Sequence, residues 1–73
     1  MTVVATVGSC QVELTTLGFM VTRDGAPVPD KVHPPALLIF AGKPFAMQYA
    51  AALDQDDHAT AHQLIEEHGR WYA

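Results

Sequence analysis

Residues 36–53 read ALLIFAGKPFAMQYAAAL, and only Gly42, Lys43, Pro44 and Gln48 interrupt the apolar run. In a chain of 73 residues such a block is either most of the core or part of a surface that binds something. A domain this small removes only about 60% of its unfolded surface from water. Lys43-Pro44 divides the block. Pro44 suits a first helical turn, where its missing N–H is not needed. Downstream of it, Phe45, Tyr49, Ala52 and Leu53 share one face at helical spacing. This predicts a helix over 44–53. Upstream, the six residues 36–41 are too few for periodicity to separate a buried strand from a helix. Pro35 at a first-turn position tips the reading to a short helix.

Beyond the block, Asp54–Asp57 breaks the apolar run and supplies an N-cap for a further helix at about 57–68. Gly69 is placed to end that helix as its C′ residue. Residues 70–73, with Trp71 and Tyr72, read as a tail. The N-terminal third has different chemistry. TVVATV at 2–7 is β-branched, and Gly8-Ser9 reads as a two-residue hairpin turn. Cys10, Val12 and Leu14 then alternate with polar residues, the period of a strand with one wet face. Gly18 marks a turn or bulge before FMVTR at 19–23, and Asp24-Gly25 is a turn pair. APVPDKVHPP at 26–35 holds four of the five prolines, which excludes helix interior and central strand. The expected fold is therefore α+β: a small antiparallel β-meander of two to three strands, then a two- to three-helix C-terminal half packed on one face. It forms one domain over 1–73, with a strand region at 2–25, a proline-rich connection at 26–35, a helical region at 36–69 and a tail at 70–73.

Charge narrows the function. Eight carboxylates oppose four lysines and arginines, a formal −4, which disfavours a phosphate-backbone binder. Glu66-Glu67 would repel DNA from the one helix pair that resembles a helix-turn-helix in layout. The apolar block approaches the length of a membrane span, but Lys43-Pro44 lies in its middle, so no membrane role is expected. Cys10 is the single cysteine, which rules out an intrachain disulfide and suits a reducing, cytoplasmic compartment. No basic start with a long apolar stretch marks MTVVATVGSC as a signal peptide.

Catalytic and cofactor signatures are weak. His58 and His62 stand one helical turn apart, with Asp54 and Glu66 extending the row, and two such histidines can share a zinc ion. A structural site needs four ligands and a catalytic one three, and HATAH lacks the glutamate of HExxH. A solvated helix edge is the better reading, with Ala61, Leu64, Ile65 and His68 as the buried face. Cys10 reads as a small buried apolar residue, since a reactive thiol needs a base such as His33 and an electropositive setting. Ser9 has no nucleophile elbow around it, and Gly42-Lys43 lacks the rest of a phosphate loop. No enzyme and no cofactor are expected.

What remains is the apolar block and the C-terminal aromatics, flanked by acids. Trp, Tyr, Arg and Met are enriched where proteins bind each other. The expectation is a non-enzymatic interaction module, an inhibitor or adaptor of the phage or mobile-element kind, that occupies a surface of a larger protein. Its expected contacts are Phe45, Met47, Tyr49, Asp54, Asp56, Asp57, Trp71 and Tyr72. The alternative is a self-associating structural subunit of a virion or tail, and a small metal-dependent or thiol enzyme ranks below both.

Overall fold

The strand chemistry of the N-terminal third is realised as an antiparallel meander. The computed structural model describes residues 2–28, 31–32 and 35–72. β1 (Thr2–Val7), β2 (Cys10–Leu14) and β3 (Phe19–Arg23) pair in sequence order. The β1–β2 hairpin closes at Val7↔Cys10 through Gly8-Ser9, with Gly8 at φ +58°. A two-residue hairpin needs that left-handed conformation at its first central position. The next two-residue turn, Asp24-Gly25, has φ +54° and +79° and closes Arg23 on Ala26, the double left-handed geometry that Asp-Gly favours. It leads into β4 (Ala26–Pro27), which takes the Arg23 end of β3's second edge, while β6 (Pro35–Phe40) meets the Phe19 end. Two-residue β5 (Lys31–Val32) lies between the prolines and pairs with the start of β6.

The segment expected as a short helix is instead a strand, β6 (Pro35–Phe40). Propensity over so few residues does not decide it; pairing does. Phe40 joins Phe19 of β3, and Leu37–Phe40 pair with Tyr72–Gly69. That second ladder overturns another expectation, because residues 70–72 of the expected 70–73 tail belong to a strand, β7 (Gly69–Tyr72). The described strands thus run β1-β2-β3-β6-β5, with β4 paired to β3 and β7 to β6 beside that path, and the helical half begins at Lys43.

α1 (Lys43–Asp54) and α2 (His58–His68) cover one face of this sheet. α1 opens with Pro44 in its first turn, as its sequence requires. It lays Ala46, Tyr49 and Ala50 on Cys10 and Val12 of β2, Val21 of β3 and Leu38 and Phe40 of β6. Tyr49 is only 2% exposed and packs on the Phe40 ring, centroids 5.1 Å apart. Burial pushes its hydroxyl up to about 12, with the Cys10 thiol adding to the effect. α2 rests on α1 and β7 through Ala61 and Leu64, with Ile65 at the margin.

Gly69 ends α2, but not as the left-handed C′ residue the sequence suggested. Its backbone is extended, φ −81° and ψ 149°, and already belongs to β7. Glycine is needed there for space, since a Cβ would stand 2.8 Å from Leu38 Cδ1 and 2.9 Å from the Ile65 carbonyl. The helix therefore passes into the strand without a loop.

Removing the ring at the centre of this packing tests the arrangement. Tyr49→Ala is expected to cost about 3–5 kcal/mol, the range for large aromatics in cores, out of a total near 4–11 kcal/mol for a chain of this length. Met47→Ala, on the outer side of the same helix, should change stability by less than about 0.5 kcal/mol. Urea unfolding followed by circular dichroism measures both.

Candidate functional site

The three aspartates expected at a contact surface sit together at the α1–α2 junction, and each has a structural task. Asp54, the last residue of α1, accepts hydrogen bonds at Oδ1 from the Ser9 N–H (3.0 Å) and the Ser9 hydroxyl (3.1 Å). A Cβ on Gly8 would collide with this carboxylate, so glycine serves both the turn and the contact. Ser9's two bonds, with Arg23's positive charge behind them, hold the Asp54 carboxyl below the usual range. Arg23 Nη2 donates to the Leu53 carbonyl at 2.9 Å, satisfying one orphan acceptor of the helix end.

Asp56 adopts φ +55°. Its N–H donates to the Leu53 carbonyl at 3.2 Å and the Asp57 N–H to the Ala52 carbonyl at 2.8 Å. This is the paired C-terminal cap in which glycine usually occupies the left-handed position. Asp57 then caps α2, accepting from the Thr60 N–H (3.2 Å) and the Thr60 hydroxyl (2.7 Å). Those bonds lower its pKa.

The remaining expected contacts are scattered. Tyr49 is in the core and unavailable as a surface anchor, which corrects that expectation. Phe45 stacks on the His68 ring with centroids 3.7 Å apart and planes inclined by 15°. Met47 lies partly open on α1, and Trp71, opposite Leu38, is 41% exposed on β7 with Tyr72 half-buried beside it. Asp54, at the end of α1, stands seven residues beyond Met47, about 10 Å by helical rise.

The histidine row is broken too. Asp54 belongs to α1 and turns to Ser9, while His62 Nε2 lies 3.0 Å from Glu66 Oε1 on an open face of α2. Among the described residues no three His, Cys, Asp or Glu side chains converge as a metal site. His33 lies outside the described residues. Cys10 is fully buried beneath α1, so its thiol is core material. No described helix is long and apolar enough to cross a membrane.

Sequence reasoning missed a different surface. At the end of the sheet, Thr2 of β1, Leu14 of β2, the 15–18 loop, Met20 of β3, and Leu37 and Ile39 of β6 line an open groove of about 520 Å³. Met20 and Ile39 are buried at its floor, and Leu14, Leu17 and Leu37 stand 44%, 50% and 38% exposed around it. No ionisable side chain is among these residues. The loop that carries Leu17 is held by its own bonds. Thr15 N donates to the Gly18 carbonyl at 2.7 Å, and Thr15 Oγ1 accepts from the Leu17 and Gly18 N–H groups. The clue in the sequence is LTTLG at 14–18, two leucines bracketing a turn. A leucine at a turn tip has no core to enter.

Two measurements check the aspartate junction. Asp56→Gly should raise stability by about 1 kcal/mol, the cost of a left-handed residue with a Cβ. Asp54 and Asp57 carry folded-state pKa values below their unfolded ones, so their stabilisation is complete above about pH 4 and is lost as pH falls through the folded values. Asp54→Asn keeps an acceptor oxygen but loses the charge. Its melting temperature should fall below that of the wild type at neutral pH and converge with it on acidification.

No protein-family model matches the chain, and no curated protein or solved structure matches it significantly.

Proposed function

We propose that this protein is a non-enzymatic interaction module whose contact surface is the groove at the end of the sheet, and that it acts by occupying a surface of a larger protein. The observation that carries this reading is the exposure of Leu14, Leu17 and Leu37 around a concave, uncharged site. Single exposed leucines are ordinary; three around one groove are the kind of patch that marks a binding site. The occupant is an apolar side chain presented by the partner, because threonines are the only polar residues in the wall and no charge is present to pair. Burying one such side chain provides about 1.5–3 kcal/mol. The chemistry elsewhere supports occupancy over catalysis: the Ser9 hydroxyl is bonded to Asp54, and Cys10 is sealed in the core. An inhibitor or an adaptor would use such a surface in the same way.

The test compares capture by the tagged wild type, Leu17→Asp and Met47→Asp from a cognate lysate, washed at high salt. A partner held by apolar contact survives the wash, since salt screens ionic contacts only. It should be retained by the wild type and Met47→Asp and weakened about tenfold or more by Leu17→Asp. A partner bound equally by all three would overturn the groove as the contact.

A further inference from the structure

The strand β1 forms one edge of the sheet, and among the described residues it pairs with β2 alone. Its sequence TVVATV has no charge, no proline and no glycine. Natural edge strands are commonly guarded by lysine, proline or an inward charge; β1 has a single irregularity, a bulge between Val3 and Ala5. That bulge lies at the middle of the strand and sets which face each side chain takes. Thr2 opposes Leu14, Ala5 opposes Val12 and Val7 opposes Cys10, so these share the helix-covered face, and Val4 packs against the same core. Val3 opposes Glu13 and Thr6 opposes Gln11, so both take the other face.

We propose that β1 pairs antiparallel with β1 of a second copy about a two-fold axis through the bulge, joining two sheets into one. Full overlap of the six residues places Thr2 opposite Val7, Val3 opposite Thr6 and Val4 opposite Ala5 of the other copy. In each pair the two side chains take the same face, as cross-strand neighbours must. A regular six-residue strand could pair with itself in this way over five residues but not over all six, because residues an odd number apart take opposite faces. The bulge is what allows the full six-residue overlap.

Charge is compatible with a second copy as partner and favours the antiparallel direction. The −4 of the chain does not oppose the contact, since no like charges meet along TVVATV. The aspartate junction lies over the Gly8-Ser9 turn, at the Val7 end. Antiparallel pairing sends the two junctions to opposite ends, with the two Val7 residues about 17 Å apart along the ladder at ~3.3 Å per residue. That is twice the screening length of about 8 Å at physiological salt. Parallel pairing would set the two junctions side by side. The paired residues run along the strand edge and share only Thr2 with the groove; Leu17 is not among them.

Sedimentation equilibrium of the untagged protein tests it. The wild type should be a dimer that dissociates on dilution. Val3→Lys with Thr6→Lys in one chain places two like-charged pairs across the axis. It should raise the dissociation constant about tenfold or more, while the new lysine at position 3 keeps Glu13 as a neighbour within its own chain. Val3→Lys with Thr6→Glu makes both pairs opposite in sign and should restore the dimer. A wild type that remains monomeric at millimolar concentration, or a dimer indifferent to the double lysine variant, would overturn the proposal. If the lysine variant does not fold, amide exchange on the wild type decides. β1 amides that point away from β2 should exchange more slowly as concentration rises; rates independent of concentration reject the pairing.

Discussion

Helix α1 can lie against the sheet only because the residues facing the strands alternate one large ring with small alanines. Ala46 and Ala50 let the helix approach β2 and β3, and the ring of Tyr49 fills the space between Cys10, Val12, Val21, Leu38 and Phe40. Close packing leaves little tolerance for a volume change at such a position. The other elements follow from this contact. With α1 seated, α2 folds back on it, and β7 enters the sheet beside β6 with no connecting loop. The absent Cβ of Gly69 permits that last step by sparing Leu38 and the Ile65 carbonyl.

The far end of α1 is secured by polar contacts. Asp54 reaches the first hairpin through Ser9, and Arg23 of β3 satisfies the Leu53 carbonyl. Asp56 and Asp57 then reverse the chain and cap the next helix. A cluster that looks in sequence like an acidic binding patch is thus one helix stop, one helix start and one tie to the sheet. Each carboxylate or backbone does local work within a few ångströms of its own position.

Five of the eight carboxylates lie at the α1–α2 junction and on α2, while the residues lining the groove and those of β1 carry none. Glu13 of β2 is the nearest in register, opposite Val3 and Met20. An apolar contact with the groove or with β1 therefore buries no carboxylate of its own residues, which would be costly if left unpaired. The groove and the edge are different kinds of surface. One is concave and takes a side chain; the other presents main-chain donors and acceptors to a strand. The two surfaces share only Thr2, and a dimer through β1 with a partner in each groove would give one assembly two equivalent contacts.

Local rules made much of this protein legible before folding. The two hairpin turns, the alternation in β2, Pro44 opening α1, Asp57 capping α2 and the buried face of α2 all depend on neighbours within a few residues. What the tertiary structure alone decided depends on distant residues. ALLIF became β6 because Phe19 and the 69–72 segment supply ladder partners. Arg70–Tyr72 became strand for the same reason, and Tyr49 moved from candidate contact to core because a sheet formed beneath it. The candidate site was almost wholly illegible. Its walls come from β1, β2, β3, β6 and one loop, and a leucine's exposure is set by what fails to cover it, which no local pattern encodes. Spacing along the chain determined the elements; long-range pairing determined which apolar residues stayed in contact with water.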